Sequence, residues 1–153
     1  MSDLRELYQE MILDHGRAPR NLRAIEDADH TAEGFNPLCG DRVKLYLRVA
    51  GGVVVDAGFE GSGCAISTAS ASMLTEVVVG KRVEEVDELR RRFRGLVTGE
   101  VRDASRLEEL GKLAVFSGVC AFPNRIKCAS LVWHALESAL HSEAGAAPAV
   151  STE

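Results

Sequence analysis

The chain has 153 residues, enough for one domain with a hydrophobic core, and its 46% apolar and 27% charged residues are ordinary for a globular protein. A net charge of -5, without a basic stripe, predicts that it does not bind nucleic acid. The first residues do not resemble a signal peptide and no apolar stretch could span a bilayer, so we expect a cytoplasmic protein without membrane contact. Four cysteines in such a chain favour metal binding or catalysis over disulfides.

The first half of the chain predicts one helix and a small sheet. Apolar residues at helical spacing predict a helix over residues 3–15. A short edge strand is predicted at 28–34. Strict alternation predicts a half-buried strand over 42–49, and a Gly-Gly turn then leads into a return strand at 53–60. These patterns indicate an antiparallel meander.

The second half predicts helices. Small residues open a helix over 65–79, and a charged amphipathic helix follows at 83–93. Two more helices are predicted at 107–115 and 123–142, the last with proline in its first turn.

Because strands precede helices, we predict an α+β fold in which a three-stranded antiparallel sheet carries helices on one face. Residues 1–143 should form a single domain. The tail, residues 144–153, is small and contains proline, so we expect it to be disordered.

Three cysteines and an aspartate stand where each could be a ligand. Cys39 and Asp41 flank Gly40, which lets the backbone turn close to an ion. Cys64 follows a Gly-Ser-Gly turn at a predicted helix start, where free N–H groups favour a thiolate. Cys128 falls in the second turn of the last predicted helix. These residues come from distant parts of the chain, so a shared site is a tertiary prediction.

The charge and chemical softness of these four side chains suggest which metal ion or cluster such a site would bind. Three thiolates and a carboxylate would repel one another without a cation. A Cys₃Asp tetrahedron suits Zn²⁺, and thiolates also suit iron or an iron–sulfur cluster. Arg125 and Lys127 flank Cys128 and are expected to lower its thiol pKa. Cys120 has no supporting pattern and is interpreted as a bystander thiol.

Four motifs carry a family resemblance. They are Asp-His-Gly-Arg-Ala-Pro-Arg-Asn at 14–21, Asn-Pro-Leu-Cys-Gly-Asp at 36–41, Gly-Ser-Gly-Cys-Ala-Ile-Ser-Thr-Ala-Ser-Ala-Ser at 61–72, and Phe-Pro-Asn-Arg-Ile-Lys-Cys-Ala at 122–129. Together they resemble the U-type iron–sulfur cluster assembly proteins, the NifU-like N-terminal domain family, over about residues 3–142. The resemblance implies a SufE/NifU-like α+β domain that receives persulfide sulfur from a PLP-dependent cysteine desulfurase.

The resemblance also implies a site and a branch. The family's conserved Cys, Asp, Cys and Cys correspond to Cys39, Asp41, Cys64 and Cys128. Scaffolds of the Isc type have histidine immediately before the last cysteine, where this chain has Lys127. In this respect the chain resembles the SufU branch. That resemblance implies bound zinc and a SufS-type desulfurase as partner, with other Suf assembly proteins as further candidate partners.

Three hypotheses follow for the activity. The first is a zinc-dependent sulfurtransferase with Cys39 as the nucleophile that takes the sulfur. Cys39 is chosen because it lies on a predicted loop beside Gly40, whereas Cys64 and Cys128 lie on predicted helices. The second is a scaffold on which a [2Fe–2S] cluster forms, and the third is a purely structural zinc protein.

Two further features have an ordinary and a functional interpretation. His15, near the end of the first predicted helix, could interact with the helix dipole or contact a partner or ligand. The run Arg90-Arg91-Arg92 could be a solvated face or a docking patch.

Overall fold

The computed structural model describes residues 2–37, 39–100, 110–142 and 149–151, and its elements follow nearly the predicted order. The side chains of residues 2–5, 120 and 151 lie outside this description. The elements are α1 (Ser2–Arg17), β1 (His30–Asn36), β2 (Asp41–Ala50), β3 (Val53–Ser62), α2 (Ala65–Val78), α3 (Val83–Thr98), the 3₁₀ helix η1 (Gly111–Ala121), α4 (Pro123–His141) and β4 (Ala149–Ser151).

The sheet has four strands in the order β3-β2-β1-β4. β1 and β3 both run antiparallel to β2, which confirms the predicted meander. β4 pairs with β1 in parallel, with Glu33 opposite Ala149. The prediction of three strands is therefore wrong by one strand, and β1 is internal rather than at the edge.

The extra strand falls in the predicted tail, residues 144–153, of which only 149–151 are described. Three residues are too few to show a strand periodicity, and their pairing partners lie more than a hundred residues earlier in the chain. The remainder of the tail prediction lies outside the described residues.

The helices pack on one face of the sheet, as predicted. Trp133 of α4 stacks on Phe93 of α3 with ring centroids 4.4 Å apart, and Phe116 of η1 meets Phe93 edge-on at 5.5 Å. The Ser70 hydroxyl of α2 accepts from Trp133 Nε1 at 3.0 Å and donates to the Ala129 carbonyl at 2.6 Å. Small residues thus let α2 and α4 approach closely.

The third predicted helix differs most from the structure. The interval 107–115 predicted for it overlaps residues 101–109, which lie outside the description, and the chain from Gly111 to Ala121 is a 3₁₀ helix. The long amphipathic helix α3 ends at Gly99, whose φ of 81° is easily adopted by glycine.

His15 fastens α1 to α2. The residue is only 6% exposed, and its Nδ1 lies 2.7 Å from the Ser72 hydroxyl. That hydroxyl also accepts from the Arg20 backbone N–H at 2.8 Å, and the Asn21 amide donates to Thr75 at 3.1 Å. These contacts favour a packing role for the motif at 14–21, with His15 as a buried side chain that joins the two helices.

The three arginines of α3 each contact acidic side chains. Arg90 lies 3.4 Å from Glu137, and Arg91 and Arg92 each lie 3.2 Å from Glu88. These pairs favour the solvated face over the docking patch.

Two histidines should make the fold sensitive to acid. Burial, reinforced by Arg20, lowers the pKa of His15 below its usual value of 6.5, and burial lowers the pKa of His134 as well. The unfolded chain then binds protons more readily than the folded one, so stability should fall as the pH drops below about 6.5.

Thermal unfolding of chelator-treated protein between about pH 7.5 and about pH 5.5 checks this expectation. His15→Gln should make the midpoint less dependent on pH, because glutamine can still bond to Ser72 but does not titrate. The double variant with His134→Gln should be flatter still. Parallel pH profiles for the wild type and the double variant would contradict the explanation.

Candidate metal centre

Cys39 lies in the turn that joins β1 to β2. The turn is closed by the Gly40 N–H, which donates to the Asn36 carbonyl at 2.8 Å. Gly40 has a φ of 72°, a conformation that other residues rarely adopt. Because the flanking residues Asn36 and Asp41 are paired in the sheet, the turn holds the exposed Cys39 thiol beside the end of the sheet.

Asp41 is the buried carboxylate of the site. It opens β2, is 0% exposed, and its Oδ1 accepts from the Cys64 backbone N–H at 2.9 Å. A Cβ built on Gly63 would lie 2.5 Å from the same oxygen. Only glycine at position 63 therefore leaves room for the carboxylate.

Cys64 is the N-cap residue of α2, as the sequence predicts. Its Sγ accepts from the Ser67 N–H at 3.4 Å and lies 4.0 Å from Asp41 Oδ2. The thiol is exposed.

Cys128 is the buried thiol, only 3% exposed, in the second turn of α4. Its Sγ lies 3.8 Å from Cys39 Sγ and 3.8 Å from the side-chain nitrogen of Asn36, which is itself 0% exposed. Asn36 belongs to the Asn-Pro-Leu-Cys-Gly-Asp motif, but no sequence pattern assigns it a role of its own.

The prediction that basic neighbours lower the pKa of Cys128 is wrong for the protein without an ion. Burial raises that pKa well above its usual value, and hydrogen bonding to Asp41 and the nearby Cys64 thiol add to the effect. Arg125 is exposed and places its guanidinium over the Phe122 ring, 4.9 Å from the centroid. A positive charge in solvent is too well screened to offset burial.

The four predicted residues come together. The ligand atoms of Cys39, Asp41 and Cys128 lie within 4.8 Å of one another, and Cys64 adjoins Asp41. In a tetrahedral zinc site with bonds of about 2.3 Å, two sulfurs are about 3.8 Å apart. The separation of Cys39 and Cys128 equals that value, so these donors fit Zn²⁺. Within the described part of the chain, no second cluster of three such side chains is found.

An open groove of about 1150 Å³ adjoins the thiols. Cys39, Cys64 and Cys128 line one side, and α1, η1 and the start of α4 supply a largely apolar remainder, including Ile12, Leu13, Val119 and Phe122. Leu13 and Phe122 are 43% and 48% exposed. Sequence reasoning missed this groove, because only the fold brings α1 and η1 beside the cysteines.

The fold and the site define a thiol-rich centre on a small α+β domain. Residues 7–141 match the model of the NifU-like N-terminal domain. The chain therefore belongs to the NifU-like N-terminal domain family.

Curated relatives cover nearly the whole chain. The zinc-dependent sulfurtransferase SufU of Bacillus subtilis (strain 168) is 41% identical over 144 residues, 94% of this chain and 96% of that protein. The iron–sulfur cluster assembly scaffold protein IscU of Streptococcus pyogenes serotype M1 is 37% identical, with 95% of this chain and 90% of that protein covered.

A solved structure supports the same placement. A protein of Fervidobacterium islandicum AW-1, provisionally described as a scaffold for the SUF system, superposes with a TM-score of 0.80 at 37% identity. The match covers 89% of this chain and 98% of that one. In the part of our chain that the structure describes, no helix has the length and apolar character needed to cross a membrane.

Gly63→Ala tests how closely the site is built around Asp41. The new Cβ would push the carboxylate off the Cys64 N–H, and we expect zinc affinity to fall about 10- to 100-fold, as when an outer-shell contact is lost. Competition titration with a chromogenic chelator measures this. Gly118→Ala is the matched control, because a Cβ at position 118 would meet nothing within 4 Å. Equal affinities for the two variants would contradict the proposed role of Asp41.

Proposed function

We propose that this protein acts in iron–sulfur cluster assembly as a zinc-dependent sulfur acceptor. In this proposal it takes persulfide sulfur from a SufS-type, PLP-dependent cysteine desulfurase onto Cys39. The observation that carries the proposal is the clustering of one exposed thiol, Cys39, with the buried Asp41 and Cys128. The name of the Bacillus subtilis relative, a zinc-dependent sulfurtransferase, supports the same chemistry.

Cys39, Asp41, Cys64 and Cys128 would hold the Zn²⁺. When bound, the ion would stabilise thiolates at neutral pH and fix their directions. Lys127 is a poor ligand while protonated, so Asp41 is the natural partner for the three sulfurs.

Exposure and backbone position favour Cys39 as the acceptor. Its turn lies at the surface, whereas Cys128 is buried on α4 and Cys64 is tied to the Ser67 N–H. The groove beside Cys39 has room for a partner's persulfide-bearing segment. In the transfer, the Cys39 sulfur attacks the outer sulfur of the donor persulfide, and the donor cysteine leaves as a thiolate.

A second candidate is a scaffold on which a [2Fe–2S] cluster forms. The names of the Streptococcus pyogenes and Fervidobacterium islandicum proteins favour it, and thiolates are the usual ligands of such clusters. Anaerobic purification followed by visible absorption, metal and sulfide analysis separates the two. Zinc without sulfide supports the sulfur acceptor, and a brown protein with stoichiometric iron and sulfide supports the scaffold.

Cys39→Ser tests the acceptor role. Serine cannot form a persulfide, so the variant should abolish stimulation of the desulfurase even in molecules that still hold zinc. The assay is alanine release by a SufS-type desulfurase with cysteine as substrate, with zinc measured on the same samples. Mass spectrometry of the wild type should place one added sulfur on Cys39.

The control variant is Cys120→Ser, which changes a cysteine outside the motifs and should leave stimulation near normal. If zinc serves only stability, stimulation by Cys39→Ser should instead follow its zinc content. Full stimulation by zinc-loaded Cys39→Ser would refute sulfur transfer through this residue.

Removing zinc should loosen the protein without unfolding it. A ligand present at a hundredfold excess over its dissociation constant stabilises by about 2.7 kcal/mol, so chelation should lower the melting midpoint by about 5–11 °C. The core contacts of Trp133 and Phe93 lie within the helices and do not involve the ion. Circular dichroism before and after chelation measures both effects, and loss of most secondary structure would show that the core is too weak to fold alone.

A further inference from the structure

Cys39 and Cys128 form a pair of unequal thiols. Their Sγ atoms are 3.8 Å apart, yet Cys39 is exposed and Cys128 is 3% exposed. Cys64 differs from both, because its sulfur is directed at the Ser67 N–H and lies beside Asp41. The pair is close enough to react after a small movement, since a disulfide bond is about 2.05 Å long.

We infer that Cys128 is a resolving thiol that discharges a persulfide on Cys39 as hydrogen sulfide whenever no metal ion holds Cys128. The inference rests on Cys39 as the sulfur acceptor proposed above. It assigns Cys128 a reaction of its own, in addition to its place among the candidate ligands.

The arrangement favours attack on the inner sulfur of the persulfide. The outer sulfur extends from an exposed residue beside an open groove, while Cys128 approaches from the buried side. Displacement at sulfur proceeds in line, with the nucleophile opposite the leaving group. Cys128 therefore faces Cys39 Sγ, and the outer sulfur leaves toward solvent.

The reaction balances without an external reductant. A new bond joins Cys128 Sγ to Cys39 Sγ, and the bond from Cys39 Sγ to the outer sulfur breaks. The outer sulfur takes up two electrons and leaves as sulfide, while the two cysteine sulfurs are oxidised to a disulfide. The proton of the Cys128 thiol passes to the departing sulfide.

Metal occupancy would then decide the fate of the sulfur. A thiolate of Cys128 engaged as a ligand is not free to attack, so the persulfide persists for transfer. In the metal-free chain the outer sulfur leaves as sulfide, and Cys39 and Cys128 form a disulfide.

The test uses the full chain, treated with a chelator and loaded anaerobically with inorganic polysulfide. Released sulfide is measured by methylene blue and the cysteines by mass spectrometry. Wild-type protein should release about one sulfide per chain and acquire a disulfide between Cys39 and Cys128. Cys128→Ser should keep the added sulfur on Cys39. Its rate of sulfide release should be at most about one tenth of the wild-type rate, because only bimolecular attack by another molecule remains.

Cys120→Ser is the matched control, since it also removes one thiol but keeps the candidate ligands and the reacting pair. It should release sulfide and close the disulfide as the wild type does. Cys128→Ala repeats the test with a different replacement, and circular dichroism confirms that each variant is folded. The inference is overturned if Cys128→Ser or Cys128→Ala releases sulfide as fast as the wild type, or if the disulfide formed joins Cys64.

Polysulfide loading keeps the two proposals distinct. If polysulfide loads Cys39 and the desulfurase does not, the sulfur-acceptor function fails while the resolving role of Cys128 is still decided by the variants. If the desulfurase loads Cys39 and the Cys128 variants behave as the wild type, the function stands and the resolving role fails. Adding zinc to the loaded wild type should slow sulfide release.

Discussion

The contact on which the site depends is the bond from the Cys64 backbone N–H to the buried Asp41 carboxylate, 2.9 Å long. A carboxylate that is 0% exposed needs donors or a cation, because an unpaired buried charge costs several kcal/mol. Asp41 begins β2 and Cys64 caps α2, so this one bond links the sheet to the helix layer. It places Cys39, two residues before Asp41, and Cys64 on the same side of the domain.

Burial divides the site into an inner and an outer half. The inner half consists of the buried residues Asp41, Cys128 and Asn36, whose positions are set by strand pairing and helix packing. Cys39 and Cys64 stand exposed at the mouth of the apolar groove. A partner could therefore approach the two outer thiols without displacing the enclosed residues, as the proposed sulfur exchange would require.

Sequence patterns predicted most of the fold and the four residues that it brings close together, because local signals were strong. Alternation located β2 and β3, a Gly-Ser-Gly turn located the start of α2, and Pro123 located the start of α4. The fourth strand had no local signal, since Ala149–Ser151 becomes a strand only by pairing with β1. Helical spacing also fails to separate an α-helix from the 3₁₀ helix of η1, which differs in the hydrogen bonds rather than in the apolar pattern.

The missed features of the site share one cause. The direction of the Cys128 pKa shift, the contact from Asn36 and the groove all depend on which segments surround a residue in three dimensions. Arg125 and Lys127 are neighbours of Cys128 in sequence, but the exposed Arg125 guanidinium stacks on Phe122 instead. Burial depends on the tertiary fold, so proximity in the sequence predicted the wrong direction for the shift of the Cys128 pKa.

The raised pKa of Cys128 also explains how such a cluster can exist without an ion. A neutral thiol at Cys128 limits the repulsion with the neighbouring donors, and backbone N–H groups at the start of α2 donate to the Asp41 carboxylate and to the Cys64 sulfur. Binding a cation must then displace the proton from Cys128, so that metal binding and deprotonation of the buried thiol are one coupled event. The same burial that keeps this thiol protonated and in place also sets it against the Cys39 sulfur.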